Sequence, residues 1–249
     1  MGSLGWLARY RQGHRWQVWH ELRQLGAGVR QISDLALEAQ EVCDEMARRA
    51  RQNVEVLVER LTAEGYRFHT NDAKEDPVAA LASAGQSAQP VVDWLHQNFD
   101  AVPMSLVSWL RIVGDVWLVG THPAWSDAGS ADPFVFEGAG SRYEGIEFAE
   151  YFAAELDAHR DMSNSDEQVG PFVLPVAPDR LHKANVSGGT PYGLVLPDGC
   201  AEGLFVAETT IPMVSYLNWV FRNGGFPGPA SSPAAWEVKR RLAHDLLPL

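Results

Sequence analysis

The chain has 249 residues and a formal net charge of −12, and 46% of its residues are apolar, which is typical of a globular protein with a full core. It has no run of about 18 apolar residues and no secretory signal at its start, so we expect neither a membrane span nor other membrane association. Cys43 and Cys200 are too few for a disulfide framework, and we therefore expect a cytoplasmic protein.

Two amphipathic helices are predicted in the first 70 residues. Apolar residues at helical spacing predict one helix over residues 5–25, with Gly13 as its weak point. A second helix is predicted near residues 33–65, because apolar residues recur there in steps of three and four. Cys43 lies on that apolar stripe, which indicates a small core residue and not a reactive thiol. We expect the helices to form an antiparallel hairpin, residues 1–70, that packs on the rest of the chain.

The remainder of the chain predicts a flexible connection over residues 71–90 and one further unit over residues 91–249. Helices are predicted near residues 90–98, 103–113, 143–158, 210–220 and 232–246. Strand candidates lie at residues 66–70, 115–120, 133–136, 172–176, 192–196 and 204–207. Because helices gather at both ends of the chain and strands in its middle, we expect an α+β fold with a mixed or antiparallel sheet flanked by helices.

The loop after the predicted strand at residues 115–120 carries His122 and Trp125. His122 could act as a base or a metal ligand, but no partner lies at a ligand spacing, which favours a hydrogen-bonded imidazole at a strand end. Trp125 lies beside polar residues, so we expect it to be exposed and to anchor recognition of a partner. Trp109 and Trp219 have apolar neighbours on predicted helices and are expected in the core.

Acidic charge is concentrated in residues 127–167. Residues 1–70 hold ten basic and nine acidic side chains, whereas the rest of the chain holds ten basic and 23 acidic ones. Such a surface repels nucleic-acid phosphates and attracts basic proteins, so we expect a protein partner and no direct nucleic-acid binding. A surface that serves only solubility is the alternative. Glu155 and His159 could share a metal site, but a solvated helix face is the simpler interpretation, and we expect no metal or other cofactor.

The loop LHKANVSGGTPYG, residues 181–193, contains four side chains that could carry chemistry: His182, Lys183, Asn185 and Ser187. Their spacing matches neither the Gly-x-Ser-x-Gly turn of hydrolases nor the phosphate-binding P-loop. We therefore predict a connection between strands, in which the two glycines allow positive φ and Asn185 and Ser187 bond nearby backbone. Contact of this loop with a ligand or partner is the alternative, and catalysis is a third possibility.

The order of several motifs resembles that in a family of uncharacterised bacterial proteins. The motifs are RYRQG (9–13), WHEL (19–22), VPMSL (102–106), GTHP (120–123), HKANVSGGTPYG (182–193) and FRNGGFPG (221–228). The resemblance covers most of the chain and implies no particular activity.

Residues 95–226 also resemble the SUKH superfamily, α+β proteins that include bacterial immunity proteins. Residues 102–110 resemble the proline-led helix of that family, and residues 114–118 resemble its glycine-containing first strand. The later strands and the helix from Thr210 follow the same order, whereas the long N-terminal helices and the extended loop at 182–193 depart from the minimal domain. The resemblance implies a binding protein without catalytic residues.

The leading hypothesis is therefore a non-enzymatic protein-binding module, specifically an immunity protein that neutralises a basic toxin, such as a nuclease, through an acidic surface. The expected partner-binding residues are Trp125, Glu144, Glu147, Glu150, Glu155 and Asp157.

Two alternatives stay open. An enzyme or small-ligand binder would bring His122 and the loop His182–Ser187 together around one pocket. A scaffold or assembly subunit would dock through the N-terminal helices and leave an apolar strip exposed on them. The sequence does not determine an oligomeric state.

Overall fold

The computed structural model of the chain describes residues 5–82, 88–140, 147–165 and 168–249. The helices are α1 (Trp6–Arg11), α2 (Arg15–Leu25), α3 (Ser33–Ala63), α4 (Ala88–Asn98), α5 (Met104–Ile112), α6 (Phe148–Ser165), α7 (Arg180–Lys183), α8 (Met213–Arg222) and α9 (Pro233–Ala243). The strands are β1 (Arg67–Phe68), β2 (Leu81–Ala82), β3 (Asp115–Trp117), β4 (Gly120–Thr121), β5 (Val135–Phe136), β6 (Phe172–Ala177), β7 (Tyr192–Leu196), β8 (Leu204–Val206) and β9 (Thr210–Pro212). Short 3₁₀ turns occupy Gly26–Gln31 and Ala128–Ala131.

All strand pairs among these residues are antiparallel, and the predicted α+β class is confirmed. The largest sheet has the order β6-β7-β8-β9, in which Leu194 lies opposite both Leu174 and Phe205. A second sheet has the order β2-β3-β5, and β1 pairs with β4. The backbone N–H of Glu137, just after β5, donates to the carbonyl of Val176 in β6 at 2.6 Å, which joins the first two sheets.

Helix α3 is the longest element of the fold and packs most extensively against α5. Its buried side chains recur at helical spacing from Ala39 to Leu61, and Cys43 is among them, as predicted. Asn53 is a buried polar residue on the same stripe, but its amide both donates to the carbonyl of Leu247 and accepts from its N–H, at 2.8 and 2.7 Å. The stripe therefore also fixes the C-terminal segment of the chain.

The helix predicted over residues 5–25 is interrupted, so the expected two-helix hairpin is wrong in detail. Gly13 adopts a φ of 102° and separates α1 from α2. Helix α1 lies along α3, with Arg11 paired to Glu45 at 3.1 Å. The apolar spacing continues across the break, which is why periodicity alone did not reveal it.

Other differences are local. Thr210–Pro212 form the edge strand β9, so the helix predicted from residue 210 begins at Met213. Within the predicted connection 71–90, Leu81–Ala82 pair with β3 and Ala88 begins α4, while residues 83–87 lie outside the described residues.

One hydrophobic cluster contains buried side chains from Trp6 to Leu249. Among the described helices, none is both long enough and apolar enough to cross a membrane.

Candidate functional site

The loop between β6 and β7 is organised by Asp179. Its carboxylate caps the short helix α7 by accepting from the N–H groups of Leu181 and His182, at 2.8 and 3.3 Å. The same carboxylate contacts Nδ1 of His182. Burial alone would raise the pKa of Asp179, but the hydrogen bonds from His182 and from the Leu181 backbone outweigh burial and lower it. The loop is therefore held in shape by its own polar groups.

Neither Gly188 nor Gly189 adopts a positive φ, so that prediction is wrong. The left-handed residue is Asn185, with a φ of 57°. A Cβ atom on Gly188 would collide with the imidazole of His182 and the carboxylate of Asp179, whereas one on Gly189 would meet open space. Gly188 is thus required for the close approach of the chain to the Asp179–His182 pair.

Lys183 is turned inward. Its side chain is fully buried, and Nζ lies 2.7 Å from Oδ1 of Asp132 and 4.6 Å from the centre of the Tyr192 ring. Asp132 adopts a left-handed φ of 57° and is itself buried. Burial lowers the pKa of Lys183, and the negative charge of Asp132 opposes that shift. The ammonium of Lys183 is therefore engaged in a buried ion pair with Asp132. It is not free to contact a ligand, as had been considered for this loop.

His122 and Trp125 are both buried, each 3% exposed. Nε2 of His122 lies 3.2 Å from the carboxylate of Glu64, and its Nδ1 accepts from the backbone N–H of Ala124 at 3.0 Å. The interpretation of His122 as a hydrogen-bonded imidazole at a strand end is consistent with this geometry. Trp125 packs on Phe226 with ring centres 5.0 Å apart, because a backbone bond to His122 folds the loop inward.

The expectation of an exposed Trp125 is therefore wrong, and it is not available as a surface anchor. Trp219 shows the reverse error: it was expected in the core but is 44% exposed, whereas Trp109 is buried as predicted. The polar neighbours of Trp125 and the apolar neighbours of Trp219 did not predict whether each side chain is buried or exposed.

The candidate loop residues do not converge on one cavity. His182 borders a cavity of about 400 Å³ with Trp117, Glu137 and Pro191 in its wall. Lys183 and Asn185 border a separate polar cavity of about 170 Å³, and His122 and Ser187 contribute to neither. Neither of these two cavities is bordered by both His122 and His182.

The acidic residues predicted to bind a partner are carried by α6 and the residue before it. Glu147, Glu150, Glu155 and Asp157 are exposed, and Glu144 lies outside the described residues. Helix α6 buries only Phe152 and Leu156 among its residues. Arg160 pairs with Asp157 at 3.1 Å, while Glu147, Glu150 and Glu155 have no basic partner among the described residues.

Two apolar side chains lie among these carboxylates and were not anticipated. Tyr151 is 39% exposed and Met162 is 54% exposed. Tyr151 follows Glu147 and precedes Glu155 by four residues, so the three are neighbours on one side of the helix. We define the acidic face as Glu147, Glu150, Tyr151, Glu155, Asp157, Asp161 and Met162. The four-residue spacing was visible in the sequence and could have revealed Tyr151.

Two other acidic residues of the 127–167 segment are not at the surface. Asp132 and Glu137 are buried and do not contribute to a surface field. His159, considered as a metal ligand with Glu155, lies 2.9 Å through its Nε2 from the carbonyl of Gly170. Across residues 5–82, 88–140, 147–165 and 168–249, no three His, Cys, Asp or Glu side chains are grouped to hold a metal ion.

Comparison of the chain with protein-family models, with curated proteins and with solved structures finds no significant match.

Gly188 and Gly189 provide a matched test of the loop geometry. Gly188→Ala is expected to lower the free energy of unfolding by about 1–3 kcal/mol, because its Cβ collides with Asp179 and His182. Gly189→Ala is expected to change it by less than about 0.5 kcal/mol. Chemical denaturation of the two variants measures both values, and equal effects would contradict the assigned role of Gly188.

The buried Lys183–Asp132 pair makes a second prediction. Lys183→Met leaves the Asp132 carboxylate buried without its ammonium, so the free energy of unfolding should fall by about 3–5 kcal/mol. Asp132→Asn should have an effect of similar size, and the double variant should lose clearly less than the sum of the two. Denaturant titration of all three variants measures this coupling.

Arg180→Met is the matched control on the same loop. Arg180 pairs with Glu208 at 2.9 Å, but the two side chains are 38% and 64% exposed, so the loss should be about 0–1 kcal/mol. Strict additivity of the Lys183 and Asp132 substitutions would show that the buried pair is not coupled.

Proposed function

We propose that the protein is a non-enzymatic protein-binding module whose acidic face engages a basic surface on another protein. The observation that carries this proposal is the state of the carboxylates on that face. Glu147, Glu150 and Glu155 are exposed and have no basic partner among the described residues. Exposed carboxylates stay hydrated in the free protein. When a basic partner binds, its positive charges compensate the cost of removing that water.

The geometry of α6 supports the same proposal. Phe152 and Leu156 are its buried residues and Phe148 packs partly buried against the same core, while most of its other side chains are exposed. Tyr151 and Met162 add contact area within the field of negative charge. Tyrosine and methionine are enriched at protein interfaces, because they bury apolar area at a modest cost in conformational entropy. A mixed acidic and apolar face suits a protein partner better than a small ion.

Within this class we propose immunity to a basic toxin as the specific role. The support for it is the resemblance of residues 95–226 to the SUKH superfamily together with the charge of the acidic face. A nuclease that binds phosphates presents basic residues at its active site, and an acidic face would compete for them with the nucleic acid. Such a complex would form rapidly at low salt and more slowly as salt screens the charges.

Charge reversal on the acidic face tests the proposal. The immobilised protein is expected to retain a basic protein from an extract of its own cells and to release it in salt. The variant Glu147/Glu150/Glu155→Lys should lose this capture, and its association rate with the recovered partner should fall at least about tenfold at low salt. If the partner is a nuclease, the wild-type protein should inhibit it and the variant should not.

A matched variant separates the acidic face from net charge. Glu41, Glu59 and Asp100 are exposed acidic residues outside α6, and replacing all three by Lys changes the net charge equally. This control should keep both capture and association rate. Equal losses in the two variants, or no loss in either, would exclude a specific role for the acidic face.

A scaffold role is the second candidate, because apolar residues are exposed near the N-terminal helices. Trp16 is 69% exposed, Leu25 40%, Ile32 56% and Leu37 67%. Exposed apolar side chains of this size are characteristic of docking surfaces when they are contiguous. In the same capture, a partner that resists salt and is lost with Ile32/Leu37→Gln, but kept with the charge reversal, would favour this role.

A further inference from the structure

A cavity of about 480 Å³ lies between the end of α8, the segment that follows it and α9. We call it the α8–α9 cavity, and the side chains in its wall that carry the argument are those of Arg222, Trp236, Lys239 and Arg240. Its volume is within the range of small-molecule sites, about 300–1,000 Å³. It shares no residue with the acidic face, so what binds there is independent of the proposed protein partner.

The wall of this cavity is basic although the chain as a whole is acidic. Arg222, Lys239 and Arg240 border it, and among the described residues no aspartate or glutamate does, even though the chain has 32 acidic residues and 20 basic ones. Arg240 pairs with Glu237, which lies outside the wall, at 2.6 Å. Arg222 and Lys239 have no acidic partner among the described residues. The cavity therefore contains two cations that no carboxylate compensates.

Lys239 is the more informative of these two cations, because it is only 7% exposed. Its ammonium donates to the carbonyl of Gly228 at 2.7 Å and has two further N–H groups. Burial lowers the pKa of Lys239, and no carboxylate among the described residues opposes that shift. Removing an ammonium from water without a counterion is costly. An anion bound in the cavity would supply the missing negative charge.

The need to cap the two helices does not explain these cations. Basic side chains are favourable at a helix C-terminus, where carbonyl groups lack partners. At the end of α8, however, backbone N–H groups bond the carbonyls of Trp219, Val220 and Phe221. At the end of α9, Arg60 donates to the carbonyl of Leu242 at 2.8 Å. Other groups thus satisfy both helix ends, and the two uncompensated cations are available to a ligand.

An exposed aromatic ring borders the same cavity. Trp236 is 59% exposed and precedes Arg240 by four residues on α9, so the two side chains are neighbours on one face of the helix. An exposed indole is a flat apolar surface, and the bases of nucleotides stack on such rings. The wall therefore combines positive charge with a surface that can bind a flat ring.

We infer that the α8–α9 cavity binds a mononucleotide, with its phosphate at Arg222 and its base on Trp236. A phosphate monoester carries a charge of about −1.5 to −2 at pH 7, which matches two uncompensated cations better than the single charge of a carboxylate does. Arg222 is exposed and can be reached by the ligand, and its planar guanidinium fits phosphate oxygens. Lys239 adds positive charge within the same wall.

Isothermal titration calorimetry with adenosine 5′-monophosphate (AMP) tests the inference, with adenosine and inorganic phosphate as the two parts of that molecule. AMP should bind with a dissociation constant of about 0.1 mM, because a ligand of this size makes few contacts. Adenosine lacks the charge and inorganic phosphate lacks the ring, so each should bind at least about tenfold more weakly. The affinity for AMP should fall as salt screens the charges.

A matched pair of arginine variants tests the position of the phosphate. Arg222→Met should weaken AMP binding at least about tenfold, the loss typical of a hydrogen bond to a charged group. Arg111→Met should leave it unchanged. Arg111 is also an exposed arginine in the last turn of its helix, but it does not border the cavity.

A second pair tests the position of the base. Trp236→Ala should weaken AMP binding at least about fivefold through the loss of stacking. Trp16→Ala removes another exposed tryptophan, on α2, and should have no effect. The assignment is overturned if adenosine or phosphate alone binds as tightly as AMP, or if the control of either pair lowers the affinity as much as the variant in the wall.

Discussion

The cost of burying charge governs this structure. Removing an ion from water costs several kcal/mol unless a partner compensates it, and the buried carboxylates of the protein meet that condition. Glu202 accepts from Arg23 and from the backbone N–H of Val214, and Asp115 accepts from the N–H groups of Gly138 and Ala139. Glu147, Glu150 and Glu155, which have no basic partner among the described residues, lie at the surface.

Helix α6 carries several of the surface carboxylates, because few of its side chains are needed to pack against the core. Phe152 and Leu156, together with the partly buried Phe148, fix it to the fold, and its exposed side is free to hold carboxylates. The Lys183–Asp132 pair illustrates the opposite case, in which a lysine and an aspartate 51 positions apart are both withdrawn from solvent. That pair fixes the loop before β7. The exposed carboxylates of α6 and the buried Lys183–Asp132 pair thus both reflect the cost of removing a charge from water.

Periodicity predicted those elements whose apolar residues meet the core without interruption. The stripe of α3, the proline-led start of α5 and the strands β6, β7 and β8 all lie close to their predicted positions. Such elements are decided by local pattern, because burial of one face dominates their energetics. The break at Gly13 was noted only as a weak point of one helix, and the strand at Thr210–Pro212, which pairs with β8 in a short hairpin, was missed.

Site residues were harder to predict than elements. The exposed carboxylates of α6 followed from composition and spacing, whereas the burial of Trp125 and the exposure of Trp219 depend on how the chain folds back. The partners of Lys183 and Asp179 depend on contacts whose geometry no sequence spacing specifies. At Gly188 the chain needs a glycine for a close approach of side chains and not for the positive φ that was predicted.

Hydrogen–deuterium exchange of the protein with and without the partner that it captures tests the central claim most directly. If the unpaired carboxylates of α6 form the interface, backbone amides of residues 148–165 should exchange more slowly in the complex while the core of α3 stays unchanged. Slowed exchange confined to residues 26–37, with α6 unaffected, would show that the protein recognises its partner through the exposed apolar residues and would contradict the account.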